Sequence, residues 1–82
     1  MKSVDIGEGY RARAELIESG ETVVQILHPN HGWCPWFSIA LQHGRWKFTK
    51  ESSATEDWVL ARLAGVKGLH KNVQSWLNQR RV

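Results

Sequence analysis

Residues 32–49 read GWCPWFSIALQHGRWKFT, and this stretch decides the fold. It holds three of the five tryptophans, both phenylalanines and the one cysteine, and its His43-Gly44 pair suits a two-residue hairpin loop. With that loop, Leu41 falls opposite Trp46, Ile39 opposite Phe48 and Ser38 opposite Thr49. Both strands then turn large apolar side chains to one face, which Phe37 completes. The turn alone sets this pairing, so the match of the two apolar sets is independent support for it. The other face carries Trp36, Ser38, Ala40, Gln42, Arg45, Lys47 and Thr49, a mixed surface suited to water or to a partner.

Upstream, YRARAELI (residues 10–17) alternates strictly, with Tyr10, Ala12, Ala14 and Leu16 on one face and Arg11, Arg13 and Glu15 on the other. After Glu18-Ser19-Gly20 the strand pattern resumes in TVVQIL, so residues 10–28 form a hairpin. A three-residue loop with Gly20 left-handed pairs Ala14 with Val24 and Ala12 with Ile26. It separates apolar from polar side chains better than a two-residue Ser19-Gly20 loop would. Residues 1–9 show no period and are expected to be a loose lead-in. Residues 28–35, HPNHGWCP, are rich in turn formers and are expected to be a loop between the hairpins.

Downstream, Ser53 and Glu56 have the spacing of a capping box for a helix starting near residue 54, and Glu56 and Asp57 complement the dipole of its first turn. Val59, Leu60 and Leu63 share one face, with Trp58 to the side near Arg62. Gly65 suits the helix C-terminus. A second helix from about residue 69 sets Leu69, Val73, Trp76 and Leu77 against a polar stripe of Lys71, Gln74, Ser75, Asn78 and Arg81, with Arg80 and Arg81 in its last turn. The expected fold is α+β: one domain over residues 1–82, with a four-stranded antiparallel meander of two hairpins (10–49) covered on one face by two C-terminal helices (54–80).

Composition narrows the classes. At 82 residues, 41% hydrophobic and 23% charged, the chain has the balance of an ordered globular domain. No apolar run is long enough for a membrane span, and the N-terminus lacks the apolar core of a signal peptide, so a cytoplasmic protein without membrane contact is expected. The single cysteine permits no internal disulfide. Charge is uneven: residues 1–46 hold four basic and five acidic side chains, residues 47–82 seven and three. A basic C-terminal half can attract nucleic acid or an acidic protein surface.

Three constellations bear on chemistry. His28, His31 and Cys34 are potential zinc donors, with His43 a conceivable fourth, but three ligands on one loop lack the two-sided clamp of a structural site, and no metal or other cofactor is expected. Cys34 as a nucleophile with His31 or His43 as base lacks a third group to orient the pair. Trp33-Cys34-Pro35-Trp36 superficially resembles the active-site run of thioredoxin-like proteins, without the second cysteine. No phosphate loop or serine elbow is present, so an enzyme is not expected. Trp33 and Trp36, beside Arg45 and Lys47 and with Trp58 near the helix edge, instead suit a protein interface.

The segment LARLAGVKGLHKNVQSWLNQRRV (residues 60–82) resembles the helix-turn-helix of bacterial DNA-binding domains, apart from a turn about two residues longer than usual. That resemblance implies a recognition helix whose Lys71, Gln74, Ser75 and Asn78 meet bases or phosphates, with Arg80 and Arg81 on the backbone. The first expectation is therefore a small non-enzymatic module that binds a protein partner stoichiometrically, such as an inhibitor or adaptor encoded by a phage or mobile element. The alternative is a nucleic-acid-binding protein that uses the C-terminal helices. A metal-binding or cysteine-dependent enzyme comes third.

Overall fold

The computed structural model describes residues 2–49 and 54–80. The chain is α+β, an antiparallel sheet followed by two helices, and the sheet has five strands rather than four. In chain order these are β1 (Val4–Gly7), β2 (Tyr10–Leu16), β3 (Glu21–His28), β4 (Gly32–Gln42) and β5 (Arg45–Phe48), then α1 (Glu56–Leu63) and α2 (Lys71–Arg80). Each strand pairs with its sequence neighbours.

The extra strand comes from the expected lead-in. Val4 pairs with Ala12 and Asp5 with Arg11, and a tight Gly7-Glu8-Gly9 turn leads into Tyr10. Ile6 is buried on the same face as Ala12. Four residues that include one glycine are too few to show a period, which hid this strand in the sequence. The expected 28–35 loop is likewise corrected. His28 pairs with Gly32 around a short Pro29–His31 turn, and Trp33, Cys34 and Pro35 lie within β4.

Both expected hairpin registers hold. Ala14 pairs with Val24 and Ala12 with Ile26, and the loop closes with the Ile17 N–H donating to the Glu21 carbonyl at 2.9 Å. Gly20 has φ 92°, so the left-handed position falls where glycine is least strained. In the second hairpin Leu41 pairs with Trp46 and Ile39 with Phe48, around His43 and Gly44 at φ 52° and 77°.

The faces differ from strict alternation because β4 carries a bulge. Val24 pairs with Phe37 but Gln25 pairs with Pro35, which leaves Trp36 as an extra residue. Trp36 and Phe37 both turn to the helix side, 3% and 2% exposed, with rings edge to face at 5.1 Å. The expectation that Trp36 occupies the mixed face is thus overturned. Below the bulge the parity reverses, so Trp33 pairs with Leu27 on the open face and Cys34 with Ile26 on the helix face. Pro35 is tolerated because it sits at the bulge and β5 does not extend alongside it.

One core joins the sheet to the helices. Ala12, Ala14, Val24, Phe37 and Ile39 meet Val59 and Leu63 of α1 and Val73, Trp76 and Leu77 of α2. Trp76 is fully buried, with its ring 5.5 Å from Phe37 and 5.9 Å from Phe48. A buried ring of this size removes about 150–250 Å² from water, worth about 4–6 kcal/mol before ordering entropy is counted. Leu41 is the exception to the expected cluster. It shares the apolar face yet is 56% exposed, close to the hairpin turn.

The helix ends follow local chemistry. Thr55, not Ser53, caps α1, its hydroxyl accepting from the Trp58 N–H at 3.3 Å, and Ser53 lies outside the described residues. α1 ends at Leu63, and Gly65 follows at φ 81° as expected. At the start of α2 the His70 carbonyl accepts from the Gln74 N–H at 2.9 Å, and His70 Nδ1 accepts from the Asn72 N–H at 3.0 Å. The Asn72 side chain donates to the Thr22 hydroxyl at 2.9 Å, satisfying a fully buried polar group on the sheet.

Candidate binding cleft

The bulge, the β1–β2 turn and the first turn of α1 converge on one aromatic cleft. Trp36 forms its inner wall and Trp58 of α1 stands edge-on to it, with ring centroids 5.6 Å apart and planes at 80°. Tyr10 and His28 enter from the ends of β2 and β3, in edge contact at 5.8 Å. With Ile26 and Ala54 these four rings line a cavity of about 300 Å³. Trp58 is 52% exposed, although a large apolar ring on a helix next to a core ordinarily turns inward.

A second hollow of about 370 Å³ adjoins the cleft, sharing Tyr10 and Trp58 and adding Glu8, Ala61 and Arg62. Arg62 holds it in shape. Its guanidinium donates to the Gly7 carbonyl at 2.7 Å, lies 3.4 Å from the Glu8 carboxylate and sits over the Tyr10 ring at 5.4 Å. These contacts fasten α1 to the β1–β2 turn and so fix the spacing of Tyr10 and Trp58.

The residues expected at one interface lie on two faces. Trp36 and Trp58 meet in the cleft, on the helix side. Trp33 is on the open side of the sheet, where the Arg13 guanidinium covers its ring at 4.0 Å and donates to Gln25 at 2.7 Å. Arg45 and Lys47 are exposed at the other end of that open face, where Lys47, Glu21, Ala40 and Thr49 border a polar trough of about 740 Å³. Within the trough Glu21 accepts from the Ser19 and Ser38 hydroxyls at 3.1 and 3.3 Å, and the Ser38 and Thr49 hydroxyls are hydrogen-bonded to each other.

The residues expected to meet nucleic acid are distributed along α2. Lys71, Ser75 and Asn78 are exposed, and Gln74 donates to Asn78 at 3.0 Å along the helix. Arg80 pairs with Glu56, so the last turn of α2 lies beside the first turn of α1. Arg81 lies outside the described residues. Of the metal candidates, His28 and His31 have ring centroids 4.5 Å apart, and the Cys34 thiol turns to the Gly32 carbonyl at 3.6 Å. Among the described residues no three such side chains are placed to hold an ion. No described helix is long and apolar enough to cross a membrane.

Tyr10 and Ile26 of the cleft, and Glu8 and Arg62 of the adjoining hollow, were not singled out as site residues in the sequence. Tyr10 and Ile26 were legible as the ends of two apolar faces in register. The contact of Arg62 with Gly7 spans most of the chain and left no local signal. No family model, curated protein or solved structure matches the chain.

Proposed function

We propose that this chain is a non-enzymatic binding module that acts stoichiometrically on another protein, with the aromatic cleft as the centre of its interface. The observation that carries this reading is Trp58, a half-exposed tryptophan braced by a buried one at the mouth of an apolar cavity. Exposed aromatic anchors seated beside a pocket are where interfaces concentrate their energy. Trp33 suits an anchor less well, because Arg13 already covers its ring.

The nucleic-acid reading draws on the exposed Lys71, Ser75 and Asn78 of α2. It is second because Arg80 is already engaged by Glu56 and Gln74 by Asn78. One experiment separates the two: affinity capture from a native extract with and without nuclease, using the parent chain, Trp58→Ala and Lys71→Ala, followed by sizing of the complex. A nuclease-resistant protein partner lost with Trp58→Ala supports the proposal. Nuclease-sensitive capture lost with Lys71→Ala replaces it with the second reading.

A further inference from the structure

Within that proposed interface, we infer that Glu8 is a positioning residue, kept at a strained point of the β1–β2 turn to hold Arg62 and, through it, the rim on which Trp58 stands. Gly7, Glu8 and Gly9 follow one another at φ 93°, 56° and 84°. Gly7 pairs with Tyr10, so Glu8 and Gly9 are the central residues of a tight hairpin turn, both at positive φ. That geometry favours Asn, Asp or Gly, because a longer side chain crowds its own backbone there. Among the described residues only Glu8 and His43 carry a side chain at positive φ, and histidine is one of the types enriched there, whereas glutamate is not.

Folding alone does not account for a glutamate at this position. Its carboxylate meets Arg62 at 3.4 Å, yet the glutamate side chain is 78% exposed. An ion pair so open to water adds little to stability, whereas left-handed backbone at such a residue costs stability. Within the isolated chain that balance is unfavourable. Strain of this kind collects where a chain must hold a binding group in place.

The group held here is Arg62. It follows Trp58 by one turn of α1, on the same side of the helix, and both line the hollow with Tyr10. Its guanidinium donates to the Gly7 carbonyl at 2.7 Å through Nη2 and faces the Glu8 carboxylate through Nη1. A single bond would let this planar group pivot. Two contacts on different nitrogens fix its plane above the Tyr10 ring, 5.4 Å away. The turn thus grips α1 one helical turn from Trp58, and Glu8 supplies the part of the grip for which the better turn formers are too short.

The test compares the parent chain with Glu8→Asn and His43→Asn, by thermal melts and by NMR of the Arg62 Nε–H and tryptophan indole signals. Arg62 Nε is buried, so the exchange of its proton with water reports how firmly the side chain is held. Glu8→Asn should raise the melting temperature by a few degrees, because asparagine tolerates the turn. It should also quicken Arg62 Nε–H exchange several-fold and shift the Trp58 indole signal. About 1 M NaCl should move both parent signals toward those of the variant and leave the variant's in place, since salt screens an exposed pair. His43→Asn, at the other positive-φ turn, should leave both signals unchanged. A lower melting temperature for Glu8→Asn would assign Glu8 to the fold, and unmoved Arg62 and Trp58 signals would show that it positions nothing; either result overturns the inference. A partner obtained by Trp58-dependent capture should bind Glu8→Asn about fivefold more weakly. Parent-like binding would also overturn the inference while leaving the interface in place. If no such partner exists the interface reading fails, and the melts and NMR signals still decide the role of Glu8.

Discussion

The side-chain amide of Gln79 pairs with both main-chain groups of Trp46, accepting from its N–H at 2.9 Å and donating to its carbonyl at 3.0 Å. Trp46 lies on β5, the edge of the sheet, so α2 supplies through one side chain the hydrogen bonds that a sixth strand would make. Unpaired edge groups are templates for association, and this contact closes part of the edge. Gln79→Ala should cost about 1–3 kcal/mol in urea denaturation, for two part-buried hydrogen bonds. It should also raise concentration-dependent association in sedimentation. Unchanged stability would mean that water replaces the amide at no cost.

Trp76 of α2 and Trp46 of β5 both lie between the sheet and the helices but differ in depth. Trp76 is fully buried against Phe37 and Phe48, whereas Trp46 is half-buried near the hairpin turn. Trp76→Ala should cost about 3–5 kcal/mol, enough to unfold much of a domain this small, and Trp46→Ala distinctly less. Thermal melts of the two variants check the order. A reversed order would show that the hairpin, not α2, holds the core together.

The hairpin registers were legible because turn chemistry and apolar alternation point the same way at Gly20 and at His43-Gly44. The helix stripes were legible for the same reason, and Val73, Trp76 and Leu77 are buried as their spacing requires. The bulge at Trp36 was not legible. A one-residue insertion has no composition of its own, yet it reverses every facing below it, which is why Trp36 leaves the side that alternation assigns it and Trp33, expected in a loop, lies on the open face of β4. The cleft was hidden by the same insertion, since Trp36 reaches Trp58 only through the bulge.

Thr22 and Asn72 test whether the sheet and α2 are joined by polar as well as apolar contact. The Thr22 hydroxyl is fully buried and accepts from Asn72, so Asn72→Ala strands it and should cost about 1–3 kcal/mol. Thr22→Val removes the stranded group. The double variant should therefore lose less than the two single costs added, a coupling that a double-mutant cycle in urea reads directly. Strict additivity would show that the bond contributes nothing.

Trp36 and Trp58 touch within one cleft but differ in exposure, 3% against 52%, and this separates stability from recognition. Trp36 fills the bulge and packs on Phe37, so Trp36→Ala should cost about 3–5 kcal/mol and disturb the neighbouring strands. Trp58 loses mainly its edge contact with Trp36 on truncation, a pairing worth about 0.5–1.5 kcal/mol beyond area. Trp58→Ala should therefore keep the parent far-ultraviolet dichroism and shift the melt by only a few degrees. In binding the ranking reverses: loss of a true anchor costs about 2–4 kcal/mol in affinity, and Trp58 is the ring a partner can reach. Melting curves and partner affinities for Trp58→Ala, measured on the same preparation, decide the matter. A variant that unfolds assigns Trp58 to the core, and one that stays folded and binds normally moves the interface to the open face around Trp33, Arg45 and Lys47.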